Sequence, residues 1–199
     1  MEEPAMDSPS GSPLGSPSDS PIVDEPRSWV DEGRTHYRQG EYELALSCLN
    51  RAYERFAENG DQSQLAEIAN DLGVVYSVLR QWNQAEKWIG EAQAKFVEMD
   101  DYDGEAQTLG NMGSMHRARG DLRQAAAHFQ LAADRFHLVG DPERRATTLK
   151  ALGMIRLRQL RFLLALATFE AALQCLPSPT FAQRLVLKII SLPLRALHM

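Results

Sequence analysis

The chain has 199 residues, 44% hydrophobic and 24% charged, with a formal net charge of −6. Those values exclude disorder throughout and suit one soluble domain of ordinary size plus a tail. Two cysteines, Cys48 and Cys175, exclude a disulfide framework and cysteine metal ligation. Both fall in helix-like stretches, so reduced, largely buried thiols are expected.

The charge is unevenly spread. Residues 1–26 carry six acids and no Lys or Arg, residues 27–141 carry 12 basic and 19 acidic residues, and residues 142–199 carry 9 basic and 2 acidic. The basic C-terminal third suits an anionic partner, the tail folding back, or self-association. The N-terminus has neither the basic nor the apolar region of a signal peptide. No apolar run is long enough for a transmembrane helix. A cytoplasmic location is the default expectation.

Residues 1–26 repeat Ser8-Pro9, Ser12-Pro13, Ser16-Pro17 and Ser20-Pro21. So little apolar surface cannot offset the entropy of an ordered backbone, and a disordered tail is expected. Two roles stay open: a plain flexible leader, or a phosphorylatable docking arm.

From Arg27 the sequence becomes periodic. Gly33, Gly73, Gly113 and Gly153 are spaced by 40 residues. Each is followed at 12 positions by Ala45, Ala85, Ala125 and Ala165, and at 19 by Ala52, Ala92, Ala132 and Ala172. At 9 and 16 positions come bulky residues such as Trp82, Phe162, Phe129 and Phe169. Those steps of three and four line one face of a helix. Leu65, Ile68, Leu72, Val75 and Leu79 do the same before the second alanine column. Each unit is therefore two amphipathic helices joined by a short turn. The spacing predicts helices over residues 28–38, 42–58, 63–79, 82–98, 104–119, 122–138, 143–159 and 161–175.

The turns have their own chemistry. Gly40 and Gly120 stand at the turn inside units 1 and 3, and Arg80 and Leu160 replace them in units 2 and 4. Gly60 and Gly140 suit helix C-caps, while Asp61 and Asp141 suit N-caps, with Pro142 at a first helical position. Asp100, Asp101 and Asp103 form a carboxylate cluster at a unit junction and read as a capping turn. Four glycines at one offset inside a helix each cost about 1 kcal/mol relative to alanine. They need a packing reason, and close approach of the first helix to the second supplies it.

The units divide as 27–61, 62–101, 102–141 and 142–178, and a C-terminal segment of residues 179–199 follows. Phe181, Leu185, Val186, Ile189 and Ile190 fall on one face, with Arg184 and Lys188 off it. This amphipathic helix has two readings. It caps the solenoid end, or it meets a membrane surface or a second copy.

No chemistry-bearing constellation emerges. His116, His137 and His198 pair with no other His or Cys at helical spacing, so no metal site is expected. The chain lacks a phosphate-binding loop and a nucleophile elbow. No catalytic residue, no cofactor and no nucleic-acid partner are expected. Trp29, Trp82 and Trp88 read as core or inter-unit filler.

The columns resemble the tetratricopeptide repeat. Trp29, Gly33, Ala45, Leu49 and Ala52 follow its order in unit 1, and Leu72-Gly73, Tyr76, Ala85 and Ala92 in unit 2. Met112-Gly113, Ala125, Phe129 and Ala132 match in unit 3, and Leu152-Gly153, Ala165, Phe169, Ala172 and Pro177 in unit 4. The usual repeat has about 34 residues; these are longer, like those of kinesin light chains and some bacterial regulators. His36, His116 and Arg156 stand at the usual Tyr place.

The resemblance implies an all-α, right-handed solenoid of four helix pairs plus the C-terminal capping helix. It implies a non-enzymatic scaffold or adaptor that binds a peptide or protein segment in a concave groove lined by the first helices. Offsets of −3, +1, +4 and +5 from each glycine give the groove candidates Arg34, Tyr37, Arg38, Asn70, Ser77, Ser114, Arg117, Lys150 and Arg158. Five of these are cations, which suit an acidic peptide, and Asn70 suits an extended backbone. The Lys-and-Asn carboxylate clamp of some relatives is not matched. The alternative is an assembly protein that self-associates or attaches to a membrane through residues 181–199.

Overall fold

A computed structural model describes residues 25–176. It holds eight helices in chain order: α1 (Glu25–Gln39), α2 (Tyr42–Asn59), α3 (Gln62–Val78), α4 (Trp82–Glu98), α5 (Tyr102–Arg119), α6 (Leu122–Leu138), α7 (Pro142–Arg158) and α8 (Phe162–Gln174). The described residues contain no strand. The helices fall where the periodicity puts them, except that α1 starts three residues early. Glu25 and Pro26 open it, and proline is well suited to a first helical turn.

One turn design recurs inside the units. Gly40 and Gly120 take φ of 81° and 97°, and Arg80 and Leu160 take 58° and 61°. This left-handed residue lets two backbone amides fold back onto the last turn. In unit 1 these are Gly40 N to Tyr37 O and Glu41 N to His36 O, at 3.1 and 2.9 Å. Between units an aspartate caps the next helix. Asp61 accepts from Gln64 N at 3.1 Å, Asp101 from Gly104 N at 2.9 Å, and Asp141 from Arg144 N at 2.8 Å. The Asp100–Asp103 cluster is thus the same capping turn.

The small-residue columns set the distance between the paired helices. All eight column alanines have 0% exposure. A Cβ built on Gly73 would stand 2.4 Å from Ile89 Cγ1 and 2.9 Å from the Ile89 backbone nitrogen. At Gly33, Gly113 and Gly153 the nearest atoms belong to Leu49, Phe129 and Phe169, at 2.8, 2.9 and 2.6 Å. Around these contacts Leu49, Ile68, Leu72, Ile89, Met115, Leu152 and Ile155 are fully buried. Gly104, outside the glycine column, is as constrained: Phe96 would lie 2.2 Å from its Cβ.

Each first helix packs on its own partner and on the second helix of the preceding unit, which gives an α-solenoid. α3 also touches α1 and α5 directly, whereas α2, α4, α6 and α8 make no comparable contact with one another. α1, α3 and α5 therefore form the inner, concave layer, and α7 borders α5 across a depression. At the far end Leu160, Phe162 and Leu163 are 74%, 60% and 56% exposed on the α7–α8 turn.

One sequence expectation is corrected. Cys48 and Cys175 are free but only half-buried: Cys48 Sγ lies 4.0 Å from Glu32 Oε2 of α1, and Cys175 caps the end of α8. The Ser-Pro tail and the helix expected over residues 179–199 lie outside the described residues.

Candidate functional site

The concave layer carries three connected depressions. A cavity of about 230 Å³ is lined by Arg34, Glu67, Asn70, Asp71, Asp103 and Gln107, among others. Beside it, toward the C-terminal ends of the same helices, lies one of about 590 Å³. Tyr37, Val74, Ser77, Val78, Trp82, Asn111, Ser114, Arg117 and Ala118 face it. A third, of about 400 Å³, runs between α5 and α7 past Gly110, Asn111, Ser114, Arg117, Thr147 and Ala151.

The candidates fare differently. Tyr37, Ser77, Ser114 and Arg117 meet around the middle depression. Ser77 Oγ donates to Gly73 O at 2.8 Å, so its hydroxyl is partly used inside its own helix. Arg117 is exposed, makes no ion pair among the described residues, and lies 6.0 Å over the Phe129 ring. Lys150 and Arg158 are exposed, line none of these depressions, and are likewise unpaired among the described residues. Arg38 is exposed and donates to Thr35 Oγ1 at 2.9 Å.

Arg34 is already occupied. Its Nε donates to Asp71 Oδ2 at 2.7 Å and its Nη2 to Glu67 Oε2 at 3.3 Å. Burial raises the Asp71 carboxyl above its usual range, Arg34 opposes this, and Glu67 adds to it. The two carboxylates also raise the Arg34 guanidinium against its own burial. The short contact geometry marks an ionic pair at neutral pH.

Asn70 is only 3% exposed. Its Oδ1 accepts from Asn111 Nδ2 at 2.8 Å, linking α3 to α5 across the cavity floor. Asn111 and Asp71 were not among the sequence candidates, nor were Glu67 and Gln107. They occupy offsets −2 and −6 from the column glycine. Those positions continue the +1, +5 stripe back along the helix in steps of three and four, so the register alone would have found them.

Unit 3 holds a second polar feature. The His116 and His128 rings stack at 5.1 Å and 9°, joining α5 to α6. Both Nδ1 atoms are buried without a hydrogen-bond partner among the described residues. His116 Nδ1 lies 3.8 Å from Asp121 Oδ2, and Arg119 Nη1 lies 3.6 Å from Glu86 Oε2. Burial, then the neighbouring His116, lowers His128 below its usual value of 6.5, and Glu86 opposes this. The folded state thus binds a proton at His128 less readily than the unfolded chain. Its contribution to stability is complete above about pH 6.5 and is lost as the pH falls below it. His128→Phe keeps the stack and removes the titration, so the fall in melting temperature between pH 7 and pH 5 becomes shallower. Equal slopes in both proteins would count against this account.

Among the described residues no three His, Cys, Asp or Glu side chains converge as a metal site. No helix among them is long and apolar enough to cross a membrane.

Comparison with known proteins agrees with this architecture. BtubC from P. vanneervenii has a similar structure, with a TM-score of 0.62 and 20% identity over 83% of this chain and 64% of that one. At that identity the likeness is one of fold. The regulatory protein RapG of Bacillus subtilis (strain 168) is 27% identical over 101 residues, which is 50% of this chain and 28% of RapG. The chain therefore spans under two thirds of either relative. The family model of the tetratricopeptide repeat matches residues 24–96 and 97–178, four helix pairs in all. With this fold a protein-interaction scaffold type, the chain belongs to the tetratricopeptide repeat family.

Proposed function

We propose that the chain binds an extended peptide segment of a protein partner along the concave face of α1, α3, α5 and α7, with no chemistry of its own. The Asn70–Asn111 pair carries this reading. One hydrogen bond between the two amides uses one donor group and one acceptor. Asn70 keeps its NH₂ and Asn111 keeps its carbonyl oxygen free of protein partners in the described residues. If both amides were turned over, one donor and one acceptor would still remain. A peptide unit offers the complementary carbonyl and N–H. The two amides border different depressions, so a strand crossing the bridge would reach side-chain space on both sides.

The apolar walls support the same reading. Val74, Val78 and Ala118 flank Tyr37 and Trp82 in the middle depression, and Val78 is 43% exposed. Such a surface adds burial to backbone recognition.

Asn111→Leu tests it. The full chain selects peptides from a displayed library of random dodecapeptides, and one selected peptide is titrated against both proteins. Losing the peptide hydrogen bond to Asn111, at about 0.5–1.5 kcal/mol, weakens binding about twofold to tenfold. Unchanged affinity with unchanged helicity would remove Asn111 from the site.

A further inference from the structure

Resting on the groove reading above, we propose that the occupant is a bipolar peptide, with a Lys or Arg side chain over Glu67 and Asp71 and an acidic group at Arg117, Lys150 and Arg158. The sequence candidates are a polar mix with five cations, which suits an acidic peptide. The contacts divide the groove instead.

In the cavity between α1, α3 and α5, four carboxylates meet one guanidinium. Two of them are committed elsewhere. Asp101 accepts the Asp103 and Gly104 amides at the start of α5, and Asp103 is held by Arg144. Glu67 and Asp71 then share Arg34 alone, which leaves one negative charge without a counter-charge. Their side chains are 44% and 23% exposed, so this charge is partly shielded from water yet open to a ligand. Screening by solvent is weaker there than on an open surface, and a partner cation gains accordingly.

A second feature of the same cavity points to a ligand. Asn70 is nine-tenths buried and lines the cavity, yet it spends only its Oδ1 on the protein. Its amide nitrogen has no protein partner among the described residues and can donate to a backbone carbonyl beside the basic residue.

The far half has the opposite sign. Arg117, Lys150 and Arg158 are exposed and have no acidic partner among the described residues. The helix register puts Lys150 and Arg158 of α7 within the stripe that continues Thr147 and Ala151. Val74, Val78 and Ala118 line the same depression as Arg117, beside the acidic cavity. Packed helices are spaced by about 10 Å, and α5 stands between α3 and α7, so these two are at least about 20 Å apart. An extended peptide rises about 3.3 Å per residue, so its two charges are at least about six residues apart.

The same dodecapeptide library, selected on the full chain and on two variants, tests this. The wild type is expected to enrich peptides with a Lys or Arg toward one end and an Asp or Glu toward the other, always in the same order. Glu67→Lys, at a half-exposed position, is expected to abolish the basic preference and keep the acidic one. Arg117→Glu with Arg158→Glu does the reverse. Peptides that are acidic throughout, or a Glu67→Lys selection identical to wild type, would overturn the bipolar occupant while the groove reading stands. If selection is also indifferent to Asn111→Leu, the groove reading falls with it.

Discussion

Gly73→Ala lowers the stability of the chain by about 1–3 kcal/mol, whereas Gly90→Ala raises it by about 0.5–1 kcal/mol. Both glycines lie inside helices, α3 and α4, so intrinsic helix propensity favours alanine equally at both. Their surroundings decide the sign. The added methyl at Gly73 meets Ile89 Cγ1 at 2.4 Å, the Ile89 nitrogen at 2.9 Å and the Ala85 carbonyl oxygen at 3.2 Å. The isoleucine side chain can turn, but the backbone of α4 cannot move without opening the helix pair. At Gly90 nothing lies within 4 Å. Gly113 is an intermediate case, because its nearest neighbours are Phe129 side-chain atoms at 2.9 to 3.1 Å and none is backbone. For a chain of this size, 1 kcal/mol moves the melting temperature by about 2–4 °C. Shifts of the same sign at Gly73 and Gly90 would contradict the packing account.

Arg117→Glu combined with Arg158→Glu weakens binding of a selected peptide about 100-fold or more, with helicity unchanged. Each charge-assisted hydrogen bond contributes about 1.5–3 kcal/mol, and the reversal adds repulsion to its loss. Two such losses reach about 3 kcal/mol, which is about two decades in affinity. The fold is spared because both arginines are exposed and neither holds an ion pair among the described residues. Arg34 is a poor choice for the same experiment. It binds Asp71 and Glu67, so its replacement disturbs the α1–α3 contact along with any ligand. Equal affinity in the double variant would take the acidic end of the ligand away from α5 and α7.

The architecture was almost wholly readable from four glycines and eight alanines spaced by 40 residues. Small residues in register report backbone proximity, and proximity is a property of the fold. The caps were equally readable, since Asp61 and Asp141 act through their own neighbouring amides. The site was less so. Sequence position says which side of a helix Arg34 occupies; it does not say that Asp71, 37 positions later, reaches it at 2.7 Å. The Asn70–Asn111 bridge has the same character, joining two units 41 positions apart. Gly104 also escaped notice, because its reason is one local ring, Phe96, and not a repeated column. Properties shared by every unit were legible, and those made by one unit against its neighbour were not.

Under the groove reading the concave layer is the binding surface. Backbone amide spectra of the isotope-labelled full chain, titrated with a library-selected peptide, test it most directly. Shifts concentrated in α1, α3, α5 and α7 are expected, with Asn70, Asn111 and Ser114 among the strongest. Shifts confined to α2, α4, α6 and α8, with the Asn70 and Asn111 resonances unmoved, would contradict it.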